Sequence, residues 1–177
     1  FHNNSDVVNS LNFVHGWVRR TTPKEKYRSA RLEYRRMDAP TVPPSEELSF
    51  RCTVQTRWSD EDKVGVVNNA VFLNLLEEAR FQYFQDLGLY EERVGFGFLL
   101  GQTNIRFLSP AHGPAELTVE MGTTHMGNRS FHQAYRVFDS SGTPLAEAEA
   151  AMVWWDPKTK SSTNAPEAFR RAMAPTS

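Results

Sequence analysis

The sequence predicts an α+β domain in which one long central helix is wrapped by a curved antiparallel sheet of about five strands. Three observations lead to that class. The stretch NNAVFLNLLEEARFQYFQDLG repeats large apolar groups at helical spacing on more than one side, so the helix it forms must be largely buried. Four consecutive segments after it have strand-like composition and are separated by Ser-Pro, Gly-Asn and Ser-Gly turn signals. Strands joined by hairpins give an antiparallel sheet, and a single curved sheet closing round a single helix is the economical way to bury both.

In chain order, residues 1–48 read as an N-terminal extension. The segment WVRRTTPKEKYRSARLEYRRMD concentrates basic charge, and Thr22, Pro23 and Glu25 have the spacing of a helix start with a capping box. Three readings stand for this helix: packing on the domain or a partner subunit, a basic arm drawn to nucleotide or membrane, or the remains of a targeting segment. APTVPPSEE is a linker, because closely spaced prolines join neither a helix nor a central strand.

Residues 49–160 form the domain proper. FRCTVQTRW, from Phe50, is its first strand. After an acidic turn, the helix starts with Asn68 or Asn69 as its cap, carries Leu73, Leu76, Arg80, Tyr83 or Phe84 and Leu87 at helical spacing, and ends at Gly88. The remaining strands are FGFLLGQTNIRFLSP, AELTVEMGTTHMG, RSFHQAYRVFDSSG and TPLAEAEAAMVWWD. Phe131, Gln133, Tyr135 and Val137 share one face of the third of these. Ala146, Ala148, Ala150 and Met152 share one face of the last, where small residues let a helix lie close, and Glu147 and Glu149 are expected to face water. Residues 161–177 are a tail in which APEAFRRAM is expected to form a short surface helix.

Composition narrows the function classes. The chain has 177 residues, 40% of them hydrophobic, which suits one compact domain with an appendage. Twenty basic residues against 21 acidic ones give no general attraction to nucleic acid. The single Cys52 excludes an internal disulfide framework and a cysteine-rich metal site. His112, His125 and His132 lack the paired spacing of metal ligands, so no metal is expected. No apolar run approaches the roughly 20 residues that span a bilayer. The expected compartment is the cytoplasm or an organelle matrix; the chain begins at Phe1 rather than Met, which leaves a preceding targeting segment open.

The segment RWSDEDKVGVVNN, Arg57 to Asn69, resembles the opening motif of the hotdog-fold thioesterases, in particular the 4-hydroxybenzoyl-CoA thioesterase-like group. EEAR at Glu77 to Arg80, LGL at Leu87 to Leu89 and IRFLSPA from Ile105 are similar to that group as well. The likeness covers roughly residues 50 to 160. Many relatives carry histidine after the glycine, where this chain has Val66; that change removes one polar contact and argues against a hotdog dehydratase, which pairs a histidine with an acid.

The resemblance implies hydrolysis of an acyl-CoA or acyl-carrier-protein thioester without cofactor, in a homodimer or homotetramer that shares sites across its interface. Asp62 matches the family's catalytic carboxylate, as nucleophile or as base for a water, against the plainer reading of a capping or solvated acid. The backbone N–H of Asn69, at the positive end of the helix, matches the oxyanion donor. Gly65 lets the chain approach the substrate closely or simply makes the turn. Asp60 and Asn68 are expected to support the turn by hydrogen bonds, and Glu61 to be exposed. One of Glu77 and Glu78 is expected to pair with Arg80 or Arg57. Arg106, Arg129 and Lys158 are weaker candidates for the phosphates of CoA, with Ser130 in a turn that lines the site; a solvated strand charge is the plainer reading of each cation. A non-catalytic acyl-thioester-binding subunit remains the alternative on the same fold.

Overall fold

The computed structural model describes residues 40–89 and 97–173, so the basic helix expected from Thr22 falls outside the described residues. The elements are β1 (Phe50–Gln55), α1 (Asn69–Asp86), β2 (Phe98–Phe107), β3 (Glu116–Met126), β4 (Ser130–Phe138), β5 (Pro144–Asp156), the short β6 (Ser161–Ser162) and α2 (Glu167–Ala172). The sheet is antiparallel throughout, in the order β1-β3-β4-β5-β2, with β6 paired to the end of β5. The expected helix and all five long strands are present.

Register explains how the sheet holds the helix. Met121, Tyr135, Ala148 and Ile105 sit opposite one another on β3, β4, β5 and β2, in a row that crosses the concave face. Ala146, Ala148 and Ala150 are buried there, and against them lie Phe72, Leu75, Leu76, Ala79, Tyr83 and Phe84 of α1. Small groups on the sheet leave room for large groups on the helix, which is how a core reaches close packing. Register shifts at Leu100/Gln102 and at Thr123/His125 mark bulges, which add bend to β2 and β3 where the sheet curls.

Both ends of α1 are closed by sequence-local groups. Asn68 Oδ1 accepts from Ala70 N at 2.9 Å. At the other end Gly88 takes φ +66, and Leu89 N donates to Phe84 O at 2.9 Å.

Two expectations are corrected. The C-terminal helix α2 is no mere surface element: Phe169 is 3% exposed, with its ring 4.7 Å from Trp154 and 4.9 Å from Phe131, so it plugs the open end of the core. Glu147 does not simply face water: it is half-buried on the outer face, accepts from Arg106 and forms an ion pair with Arg136.

Candidate active site

The acidic segment folds into a small closed loop. Asn68 N donates to Asp60 O at 2.9 Å, Glu61 bridges to Val67, and Asp62 N donates to Val66 O at 2.8 Å. Those rungs make a miniature hairpin whose base is the start of α1 and whose tip is residues 62–66. Gly65 turns the tip at φ +83, a left-handed conformation that a side chain would strain, and its N–H donates to Asp62 O at 3.0 Å.

Asp62 stands on this hairpin two residues beyond the rung at the helix tip, about 7 Å along the strand. Its Oδ1 accepts from Val64 N at 2.8 Å, which fixes the carboxylate, and its Oδ2 has no partner among the described residues. The side chain is exposed in the single chain. At the helix tip, Ala70 N is taken by Asn68 Oδ1 and Val71 N by Asn68 O. The Asn69 amide has no acceptor among the described residues, and the residue is exposed. A free donor at the positive end of a helix attracts negative charge.

Asp60 anchors the base of the hairpin. It is 7% exposed and accepts from Arg57 N at 2.8 Å and from Arg57 Nη2 at 3.0 Å. The guanidinium bonds, then the backbone bond, hold its carboxyl below the usual carboxylate range. Asp60 is therefore committed to structure, and Asp62 is the acid with a free oxygen. Glu61, expected to be exposed, is half-buried, and its Oε1 accepts from Gly113 N at 2.9 Å.

His112 also reaches the hairpin: its Nδ1 lies 2.9 Å from Gly65 O. Sequence reasoning passed over this contact. Forty-seven positions separate the two residues, so only the return of the chain after β2 to the start of α1 brings them together.

The substrate-binding candidates do not meet Asp62 within one chain. Arg106 is engaged by Glu147 on the outer face of the sheet. Arg129 and Ser130 lie at the β3–β4 hairpin, where Arg129 O accepts from Trp154 N at 2.9 Å. Lys158 follows β5, and its N–H donates to Asp156 Oδ1 at 2.8 Å. Phe131, next to Ser130, packs on Phe84 near the end of α1, about 22 Å from Asn69 by helix rise. The expected pairing of Glu77 or Glu78 with Arg80 or Arg57 is not found either: Arg57 holds Asp60, Arg80 bonds Tyr135, and Glu78 accepts from Gln82. A groove of about 520 Å³ opens between β1 and α1, lined among others by Arg57, Asp60, Asn74 and Glu78, and Asp62 is not part of its wall. Beside it, burial and the Glu78 charge push the Cys52 thiol up to about 11. Among the described residues no three potential metal ligands come together.

A family model described as the Thioesterase-like superfamily matches residues 56–173, from the acidic hairpin through the sheet to α2. The chain belongs to the thioesterase-like superfamily. Within it, the chain is 29% identical over 113 residues to the acyl-CoA thioester hydrolase YbgC of Escherichia coli, covering 61% of this chain and 83% of that protein. The structure superposes on a Thermus thermophilus thioesterase complexed with coenzyme A and zinc with a TM-score of 0.64 and 28% identity, over 72% of this chain and 98% of that one. A mutant 4-hydroxybenzoyl CoA thioesterase in complex with 4-hydroxybenzoyl CoA gives a TM-score of 0.64 at 20% identity, over 71% of this chain and 98% of that one, a likeness of fold. This thioesterase-like chain thus has the hotdog fold, and no described helix is long and apolar enough to cross a membrane.

Proposed function

We propose that the protein hydrolyses an acyl-CoA or acyl-carrier-protein thioester to free acid and thiol, with Asp62 as the working carboxylate and the Asn69 N–H as oxyanion donor. One observation carries the reading. The acid with an unengaged oxygen and the helix-tip amide with no acceptor sit on the same closed hairpin. Attack at the thioester carbon moves an electron pair onto the carbonyl oxygen, where the amide and the helix dipole stabilise it. Collapse of the tetrahedral species breaks the carbon–sulfur bond and releases thiolate. If Asp62 attacks directly, a mixed anhydride forms and water opens it; if Asp62 acts as base, water is the nucleophile and the free acid forms at once.

The complete site is shared by two subunits. Support comes from β2, which ends the sheet path with no strand on its outer edge among the described residues and carries the exposed Leu99, Leu100 and Phe107. Leu108, Leu73, Trp58 and Val64, toward the helix tip, are exposed as well. Bare apolar edges of this kind call for a partner. Two β2 strands paired antiparallel about a twofold axis set the start of one against the end of the other. The partner's Arg129 and Ser130 then come to the helix tip that carries Asp62, and the distance that separates these groups within one chain disappears.

The test is thiol release from short, long and aromatic acyl-CoAs. Asp62→Asn is expected to lower kcat by at least about 100-fold, the scale of a lost catalytic base. Asn69→Ala is expected to lose far less, because its donor is main chain. An Asp62→Asn enzyme with unchanged turnover removes Asp62 from the mechanism. Binding of acyl-CoA with no thiol released by the wild type would favour a non-catalytic binding subunit.

A further inference from the structure

The tip of the acidic hairpin, residues 62–66, is tied to the rest of the protein at one point. Within the hairpin its amides are satisfied locally: Asp62 N donates to Val66 O, Gly65 N to Asp62 O and Val64 N to Asp62 Oδ1. Lys63, Val64 and Gly65 are exposed, so little packing covers them. Among the described residues, the one hydrogen bond from this tip to any other part of the chain joins Gly65 O to His112 Nδ1, 2.9 Å apart. A carbonyl oxygen can only accept, so Nδ1 carries the proton. The neutral ring in that tautomer and the imidazolium both make the bond.

His112 is itself firmly placed. Residues 111–113 run along the outer edge of the hairpin's returning strand: Val67 N donates to Ala111 O at 2.8 Å, His112 reaches Gly65 O, and Gly113 N donates to Glu61 Oε1 at 2.9 Å. Behind them the loop is bound to the end of β1. Thr56 N donates to Ala115 O and Ala115 N to Thr56 Oγ1, both at 2.9 Å. Gly113 passes so close to Thr56 that an added Cβ would stand 3.0 Å from Oγ1, which leaves the loop no room to shift toward β1.

Base and tip of the hairpin therefore differ in what holds them. The base rests on the buried Asp60, Val67 and Ala111. The tip has the imidazole, and Asp62 is the first residue of that tip. We propose that His112 is a positioning residue: by holding Gly65 O it fixes the hairpin tip, and with it the Asp62 carboxylate relative to the Asn69 amide. The proposal rests on the thioesterase reading above. Misplacing a reacting group by about 1 Å costs on the order of 100-fold in rate. A tether lost at the tip, with the base intact, acts on kcat and leaves substrate binding nearly as it was.

Asparagine is the informative replacement. Its Nδ2–H can donate to Gly65 O as Nδ1–H does, and it has no basic nitrogen. His112 Nε2 has no partner among the described residues, so a base formed by that nitrogen is the competing role. Asparagine rescues a tether and does not rescue a base.

The experiment measures thiol release and amide hydrogen exchange in wild type, His112→Ala and His112→Asn. His112→Ala is expected to lower kcat about tenfold with KM within about twofold of wild type, and His112→Asn to restore most of the loss. Exchange at the amides of residues 64–65, followed by mass spectrometry on the peptide that contains them, should be faster in His112→Ala and near wild type in His112→Asn. An exposed side chain contributes little to folding, so all three proteins should melt together. Wild-type kcat in His112→Ala overturns the proposal. So does a loss that His112→Asn fails to reverse, which would assign Nε2 to the chemistry. If wild type releases no thiol from acyl-CoA or acyl-carrier-protein thioesters, hydrolysis falls and exchange alone decides: a tip loosened by His112→Ala keeps the tether, and unchanged exchange removes it.

Discussion

At the scale of single residues, the acidic hairpin divides its labour by hydrogen bonding. Asp60 is spent on Arg57, and Asp62 keeps one oxygen free. Because the Arg57 bonds lower the Asp60 carboxyl in the folded state, the native protein binds fewer protons there than the unfolded chain. The stabilisation is present above the ordinary aspartate range and is lost as pH falls through the lowered native value. Asp60→Asn should therefore melt below wild type at neutral pH, with the two melting temperatures converging as pH falls below the ordinary aspartate range and through the lowered native value. Calorimetric scans across that range are the check; a gap constant with pH would mean that ionisation of Asp60 is not its source. The spacing of Asp60, Gly65 and Asn68 was legible because the contacts to Arg57, Asp62 and Ala70 are local, two or three positions long. His112 was not, since its contact with Gly65 depends on the whole course of β2. Arg80 was misread for a related reason: the sequence offered Glu77 or Glu78 as its partner, whereas the fold supplies Tyr135 from β4.

Among the elements, those that hold the helix were written in local pattern. Apolar residues at helical spacing, an asparagine cap and a terminal glycine define α1, and the alanine row of β5 foretold how closely it packs. The helix α2 was invisible as a core element because six residues carry too little periodicity to show a buried face. One side chain decides its role. Phe169 meets Phe84 at 5.3 Å as well as Trp154 and Phe131, closing the end of the barrel where the bulky end of α1 emerges. Phe169→Ala should cost about 3–5 kcal/mol, the usual scale for emptying a buried aromatic site. Urea unfolding should show a lower midpoint with an unchanged slope, and tryptophan emission should shift as Trp154 becomes wetted. A midpoint within experimental scatter of wild type would return α2 to the surface role that its sequence suggested.

For the molecule as a whole, the sheet has two different ends. β1 is flanked by the groove that holds Asp60 and Glu78, whereas β2, among the described residues, has no neighbour on its outer edge and exposes apolar side chains beside the helix tip. Only the second end can bring the Arg129 hairpin to Asp62 by twofold pairing, since one chain holds those groups at opposite ends of α1. In the proposed antiparallel pairing of β2 with its copy, the start of one strand lies beside the end of the other, so Leu99→Lys combined with Leu108→Lys brings like charges together at both ends of the seam. Light scattering should then report a monomer that keeps its circular dichroism spectrum, and thiol release should fall at least about tenfold, because half of each site has departed. A folded monomer with undiminished turnover would show that one subunit contains the entire site, and the opposed placement of Arg129 and Asp62 would then have to be explained by a substrate long enough to span α1.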